Sequence, residues 1–80
     1  MNVEILWQNC LKEIKDELSS LAFDTWFSDV NLLELKDGTA YIEVPMSIHK
    51  KHLSDNYFEL IREALNKVTG TNFELAFLLP

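Results

Sequence analysis

Two histidines and an aspartate recur at three-residue intervals in the second half of the chain, a spacing that could place metal ligands on one side of a helix. They are His49, His52 and Asp55. Helical metal sites are normally completed by a further ligand and by buried groups that orient the ligands, and the sequence offers neither here. Polar residues beside lysines are usually solvated. We therefore expect both histidines to be exposed, and we predict no metal site.

Paired carboxylates and a single thiol are the other groups with potential chemistry. Glu13 and Glu17, like Glu59 and Glu63, are four residues apart, as a general acid and base on one helix face could be. The pattern marks no apolar pocket that would shift either pKa, so we interpret these pairs as solvated helix faces.

Cys10 is the only cysteine. This excludes an internal disulfide and the four-thiolate zinc patterns, and we expect Cys10 to pack as a small apolar residue.

Phosphate-binding and nucleophile motifs are also missing from the sequence. Gly38 and Gly70 are the only glycines, whereas loops that wrap phosphates need several glycines at short spacing. There is no Gly-x-Ser-x-Gly turn for a serine nucleophile. The sequence therefore predicts a non-enzymatic domain with no cofactor of its own.

The charge balance disfavours nucleic acid as the main ligand. Thirteen Asp and Glu against seven Lys and Arg give a formal net charge of -6, which repels a phosphate backbone. The only local basic cluster is His49-Lys50-Lys51-His52.

No apolar run approaches the roughly 18 residues of a membrane span, and the first residues lack the basic start of a signal peptide. We expect a cytoplasmic domain that makes no membrane contact.

The length of 80 residues indicates one domain with one core. Nearly half of the residues are apolar and a quarter are charged, which is typical of globular proteins. Eighty residues lie at the low end of domain sizes, and the chain closes on the apolar Leu78-Leu79-Pro80. We expect residues 1–80 to be a single interaction domain from a longer polypeptide.

Hydrophobic periodicity predicts two helices in the first third of the chain. Within residues 4–18 the apolar positions recur at spacings of four and three and share one helix face; they are Trp7, Leu11, Ile14 and Leu18, with Leu6 and Cys10 beside them. Ser19-Ser20 can cap a second, shorter helix that ends near Ser28. The inner side of that helix is heavily aromatic and carries Phe23, Trp26 and Phe27.

The rest of the chain predicts a hairpin, a long helical region and a last strand. Residues 30–35 and 40–44 flank Asp37-Gly38, a pair that favours a tight hairpin turn. Residues 46–68 carry a helical stripe that ends at Gly70, as one helix or as two that meet near Ser54. Residues 72–79 alternate as a strand. The order α-α-β-β-α-β predicts a small α+β domain whose three-stranded sheet is covered by helices.

Both tryptophans, Trp7 and Trp26, lie on the predicted helices of the first third. A chain this small cannot readily bury two indoles, and partly exposed tryptophan is enriched at protein contacts. We therefore expect a module that docks onto other proteins. The alternative for each tryptophan is a place in the core.

The chain resembles the N-terminal domain of the DnaA family of bacterial chromosomal replication initiators over essentially its whole length. The resemblance is carried by the following segments, in order: Leu6-Trp7-Gln8-x-Cys10-Leu11, Phe23-x-Thr25-Trp26, Pro45 after the hairpin, Tyr57 with Leu60-Ile61, and Thr69-Gly70. It implies a fold similar to K-homology domains. It also implies a following linker, an ATPase domain that binds ATP and Mg²⁺, and a helix-turn-helix domain that binds duplex DNA.

The resemblance implies that this domain works through protein contacts. The expected partners are other initiator protomers in a weak homodimer, the replicative helicase, and regulators of initiation. The family's self-association surface carries over to Leu6, Trp7 and Cys10. Its partner-binding surface carries over to positions on the second helix and at the start of the third, which here are Ala22, Asp24, Thr25, Trp26 and Ile48.

Two of those positions depart from the family. Ala22 stands where relatives often carry an acidic residue, so a contact through that charge is lost, and Ile48 stands where they often carry Phe.

The K-homology likeness also suggests an alternative function, weak binding of single-stranded DNA or RNA. K-homology domains clamp the backbone with a Gly-x-x-Gly loop, which this chain lacks, so Lys50 and Lys51 would have to supply that contact.

Overall fold

The computed structural model describes residues 2–80, which form four helices and one three-stranded sheet. In chain order the elements are α1 (Val3–Asp16), α2 (Ser20–Phe27), β1 (Asn31–Lys36), β2 (Thr39–Glu43), α3 (Ser47–Asn56), α4 (Phe58–Thr69) and β3 (Glu74–Leu78). The predicted α+β class with a three-stranded sheet is confirmed. The order has one more helix than the predicted α-α-β-β-α-β, because the third helical region divides in two.

The first two helices begin at capping side chains. The side-chain oxygen of Asn2 accepts hydrogen bonds from the N–H groups of Glu4 at 2.8 Å and Ile5 at 3.2 Å. The hydroxyl of Ser19 accepts one from the N–H of Ala22 at 3.1 Å. Each bond satisfies a donor that has no partner within its helix. The predicted cap of the second helix is confirmed.

The predicted hairpin joins β1 and β2. Asp37 and Gly38 have φ angles of 51° and 79°, the positive values that both central residues of a type I′ turn require. The strands are antiparallel, and the register shifts between Leu32 and Glu34. Such a bulge bends and twists the strand that carries it.

The third helical region breaks at Tyr57. Its φ of −121° and ψ of 11° interrupt the helix. Its N–H still donates to the Leu53 carbonyl at 3.0 Å, and its own carbonyl accepts from the N–H of Ile61 at 3.0 Å. The two-helix alternative is therefore correct, with the break three residues beyond Ser54. The break lets α4 lie along α1 while α3 contacts α2 through aromatic rings.

Helices α3 and α4 form the crossover that brings β3 alongside β2 in a parallel direction. Gly70 ends α4 with a φ of 78°, and its N–H donates to the Asn66 carbonyl at 2.7 Å. The predicted glycine cap and last strand are confirmed. Because the strand order is β1-β2-β3, β2 is central and the other two strands form the sheet edges.

One core lies between the inner face of the sheet and the helices. The buried apolar residues are Leu6, Trp7, Cys10, Ile14, Phe27, Val30, Leu32, Ala40, Ile42, Val44, Leu53, Ile61, Ala64, Leu65 and Phe77. Side chains of β2 alternate between the two faces of the sheet, since Ala40 and Ile42 are fully buried whereas Tyr41 and Glu43 face the opposite side and are half-buried.

Trp7 is the largest side chain of this core, with only 3% of its surface exposed. Its indole Nε1–H donates to the carbonyl of Val30 at 2.9 Å. Val30 directly precedes β1, so the bond ties α1 to the start of the sheet. The expectation that Trp7 is partly exposed is wrong, because the core provides both space for the ring and an acceptor for its only donor.

None of the helices within residues 2–80 is both long enough and apolar enough to cross a membrane.

We predict that Trp7→Phe lowers the free energy of unfolding by about 2–4 kcal/mol. The change leaves the buried Val30 carbonyl without its donor and removes ring volume from a packed core. Urea unfolding followed by circular dichroism measures the loss.

Trp26→Phe is the matched control, because the Trp26 indole is half-buried and makes no hydrogen bond within residues 2–80. We expect it to cost less than about 1 kcal/mol. Equal losses in the two variants would contradict a special role for the bond from Trp7 to Val30.

Candidate interaction surfaces

The three residues predicted for self-association lie on the inner side of α1. Leu6 and Cys10 are buried together with Trp7, because all three face the sheet and α4. None of them presents a large exposed area to a partner. The residue that does is Ile5, which the sequence analysis did not single out and which is 63% exposed.

Ile5 lines two surface grooves, each of which is also lined by one of the predicted residues. One groove, of about 740 Å³, is lined by Trp7 and by Leu33 of β1, and also by charged side chains that include Glu4, Lys12 and Glu43. The second, of about 260 Å³, is lined by Leu6 and by Val68 of α4. The start of α1 thus presents an exposed apolar side chain beside two grooves.

Cys10 is an inert thiol in this position. Burial, assisted by the negative charge of Glu13, raises its pKa to about 11. Its Sγ lies 3.9 Å from the Ala64 carbonyl of α4, to which the thiol donates. The interpretation of Cys10 as a packing residue is confirmed, since the thiolate that would react or bind metal is disfavoured.

The second surface is built around Trp26, which joins α2 to α3. The Trp26 ring stacks on the His52 ring with centroids 3.8 Å apart and planes 16° from parallel. His49 meets the same indole edge-on at 5.3 Å, and Tyr57 meets His52 edge-on at 5.3 Å. We call these four rings the aromatic cluster; they hold α2 against α3, and Tyr57 also contacts the ring of Phe27 on α2.

The expectation that His49 and His52 are exposed is wrong, because both are half-buried against Trp26. The Nδ1 atom of His49 is buried and has no hydrogen-bond partner within the described chain. The His52 Nδ1 lies 3.2 Å from the side-chain nitrogen of Asn56. Within residues 2–80, no three His, Cys, Asp or Glu side chains are grouped closely enough to hold a metal ion.

The five predicted partner-binding residues lie on or beside this aromatic cluster. Asp24 and Thr25 are exposed on α2, whereas Ala22 and Trp26 are half-buried there. Ile48 is 59% exposed and lies one helical turn before His52 on α3, the residue stacked on Trp26. The contact between His52 and Trp26 therefore brings the two predicted segments together.

Two further apolar side chains are exposed on the same pair of helices and were not predicted. Leu21 is 77% exposed on α2, and Met46 is exposed at the residue that precedes α3. Periodicity could have identified Leu21, because it lies three and four residues from the exposed polar Asp24 and Thr25. No sequence signal marked Met46.

The basic cluster supplies little free positive charge. Lys51 pairs with Asp55 at 2.9 Å, and both histidines face Trp26. Hydrogen bonding to Asp55 and its negative charge raise the pKa of Lys51. Within residues 2–80, Lys50 is the only lysine of the cluster without an ion pair.

The predicted carboxylate pairs lie on helix surfaces. Glu59 and Glu63 are exposed, as is Glu17. Glu13 is half-buried where α1 meets α4, and its Oε1 lies 3.9 Å from the Nζ of Lys67. The interpretation of solvated faces holds for the exposed carboxylates, whereas Glu13 faces a cation on the neighbouring helix.

Sequence comparison relates the chain to one group of known proteins. The DnaA N-terminal domain family matches residues 4–67, a span that contains Ile5, Trp26 and Ile48. Among curated proteins, the chromosomal replication initiator protein DnaA of Flavobacterium psychrophilum is 38% identical over 74 residues, which cover 92% of this chain and 16% of that protein.

Two further relatives carry the same description. The protein from Thermodesulfovibrio yellowstonii is 31% identical over 74 residues, covering 92% of this chain and 17% of the relative. That from Bacteroides thetaiotaomicron is 29% identical over 76 residues, covering 95% and 16%. The chain thus spans about one sixth of the length of the curated relatives it matches.

We predict that Cys10 reacts with iodoacetamide at pH 8 at least about 100-fold more slowly in the folded chain than in the unfolded chain. The rise of the pKa from 9.0 to about 11 lowers the thiolate fraction by about that factor, and burial slows access further. Mass spectrometry with and without urea measures the two rates.

The raised pKa of Cys10 also makes the stability of the fold depend on pH in the alkaline range. Because the unfolded thiol loses its proton first, the free energy of unfolding falls as the pH rises from about 9 towards 11. Cys10→Ala removes that component of the pH dependence. Rapid alkylation of the folded chain at pH 8 would contradict the buried position of the thiol.

Proposed function

Because the chain belongs to the DnaA N-terminal domain family, we propose that it is a non-catalytic interaction domain of a replication initiator. In this proposal it links initiator protomers at the replication origin and recruits the replicative helicase and regulators of initiation. ATP and Mg²⁺ are handled by a separate ATPase domain. As part of an initiator, the domain works in the cytoplasm.

The observation that carries the proposal is the grouping of exposed apolar side chains on the helices. Ile5 stands at the start of α1, and Leu21, Met46 and Ile48 stand on or next to α2 and α3. Exposed apolar groups that gather at one place indicate contact with another protein. Ile5 lines one groove together with the exposed Leu33 of β1, so this place and the pair of helices α2 and α3 support two separate contacts.

We assign self-association to the start of α1. Ile5 of one protomer enters a groove of its partner, and the same contact repeats about a two-fold axis. Trp7 and Leu6 line the grooves, while Cys10 keeps α1 packed on α4. Association costs several kcal/mol in lost freedom, so one small apolar contact of this kind gives a weak dimer.

We assign the helicase and the regulators to the surface around Trp26. Ile48, Trp26 and Leu21 offer apolar contact area, and Asp24 and Thr25 offer polar groups at its border. A partly buried aromatic ring surrounded by such groups is typical of the residues that dominate binding energy. Because Ala22 carries no charge, the contact here relies on apolar area.

We predict that Ile5→Lys weakens dimerisation at least about tenfold, because an ammonium group must lose its water to enter the groove that Leu6 and Val68 line. Ile5 is exposed, so the fold tolerates the change. Sedimentation equilibrium of the 80-residue chain measures the dissociation constant. Ile48→Lys, the same exchange on the other surface, is the control and should leave dimerisation unchanged.

We predict that Ile48→Lys weakens binding of purified replicative helicase at least about tenfold, for the same desolvation reason. Titration calorimetry at domain concentrations below the dimer range measures it. Ile5→Lys is the control here and should bind as the parent does. Normal helicase binding by Ile48→Lys would contradict the assignment of the helicase to the surface around Trp26. It would not affect the assignment of self-association to the start of α1, which Ile5→Lys tests.

A further inference from the structure

Most of the large apolar side chains that are exposed within residues 2–80 lie where the start of α3 meets the end of β3. Four of the seven are Met46, Ile48, Leu78 and Leu79. We call these four residues the α3–β3 patch. Leu78 and Leu79 lie outside residues 4–67, the span that matches the family, so the patch extends beyond the part of the chain that the family defines.

Main-chain hydrogen bonds hold the two ends of the patch together. The N–H of Val44, the residue after β2, donates to the Leu78 carbonyl at 2.9 Å. Met46 follows two residues later, and its carbonyl accepts from the N–H of His49 at 3.0 Å, which ties it to the first turn of α3. Two residues of extended chain span at most about 7 Å. Met46 therefore lies close to the end of β3.

The α3–β3 patch has the size of an interaction surface. Its four side chains are each about half exposed and present on the order of 300–400 Å² of apolar area. The largest apolar patch on a monomer is about 300–600 Å² and is often functional. None of the four residues carries a charge, so a partner that covers the patch must itself be apolar there.

The surface around Trp26 needs such an extension to hold a partner. It consists of five predicted residues and two further exposed apolar residues on or next to α2 and α3, whereas a specific interface uses about 20–30 residues on each side. A partner that covers Ile48 therefore reaches beyond the two helices. Because the α3–β3 patch contains Ile48 and continues to Leu78 and Leu79, it is the side on which the apolar area extends.

A second copy of the chain does not suit the patch. No residue of the patch lines either groove beside Ile5, so the patch offers exposed side chains and its occupant has to bring the recess. The grooves of a second copy lie at the start of α1, where Ile5 fills them in the proposed dimer. The occupant is therefore a different protein with an apolar recess.

We propose that the α3–β3 patch is part of the helicase site, so that the replicative helicase covers the end of β3 together with α2 and α3. The inference rests on the proposed function, which assigns the helicase to the surface around Trp26. It adds Leu78 and Leu79 to that site and gives the chemistry of the contact. Because Ala22 offers no charge, the apolar area of the patch supplies the affinity.

An apolar contact has a measurable signature. Burial of apolar surface gives a negative heat-capacity change on binding, whereas a contact between exposed charges weakens as salt rises. We expect the dissociation constant for purified replicative helicase to change less than about twofold between about 0.1 and 0.5 M sodium chloride. Titration calorimetry at several temperatures and at both salt concentrations measures the two quantities.

Leu79→Lys tests the part of the site that lies at the end of β3. Leu79 is 48% exposed and follows the strand, so the fold tolerates the change. An ammonium group must lose its water in an apolar recess, and helicase binding by the 80-residue chain should weaken at least about fivefold. Leu79→Met keeps an apolar side chain and should bind as the parent does.

Leu33→Lys is the matched control for Leu79→Lys. Leu33 is 44% exposed and lies on β1, at the other edge of the sheet, so the same exchange there should leave helicase binding unchanged. The titrations use domain concentrations below the dimer range. Equal losses in the two lysine variants would show a general effect of added charge and would overturn the proposal.

The outcomes separate this proposal from the assignment of the helicase to the surface around Trp26. If Ile48→Lys weakens helicase binding and Leu79→Lys does not, the extension to β3 is wrong and the surface around Trp26 stands. If Leu79→Lys weakens self-association in sedimentation equilibrium and leaves helicase binding intact, a second copy occupies the patch and the proposal is wrong. Helicase binding that weakens at least about tenfold with salt would also overturn it, because the affinity would then come from charges.

Discussion

The hydrogen bond from the Trp7 indole to the Val30 carbonyl is the constraint on which the rest of the arrangement depends. It joins the first helix to the residue that begins the sheet, across 23 positions of sequence. A buried indole needs an acceptor, and a buried carbonyl that ends a loop needs a donor. Each group satisfies the other, so α1 is held in one position over β1.

That position decides which residues of α1 remain available. With Trp7, Leu6 and Cys10 turned inward, the exposed apolar residue of the first turn is Ile5. A side chain can thus matter for association without being exposed, because the buried residues shape the grooves beside the exposed one. Loss of association in a Trp7 variant would therefore reflect a change in the shape of the groove that Trp7 lines, as well as the loss of contacts made by Trp7 itself.

A second contact, the stack of Trp26 on His52, holds α2 against α3. The break at Tyr57 frees α3 from the direction of α4 and lets it face α2. Two short helices, neither of which buries much alone, are thereby held as one surface.

The sequence by itself determined the elements and most of their ends. Periodicity, the serine cap before α2, the Asp37-Gly38 turn and the Gly70 cap are local effects, and local effects are readable from neighbouring residues. The family was also readable, since it is carried by residue types in order. These are properties of short stretches of chain.

Only the tertiary structure decided which side chains are covered. Trp7 is buried and Ile5 exposed because a carbonyl 23 residues away accepts the indole proton, and no pattern within α1 contains that information. His49 and His52 were expected in solvent because their neighbours are lysines, yet Trp26 on another helix covers them. Exposure depends on packing between distant segments, so the residues of a contact surface emerge only when the helices and the sheet are assembled.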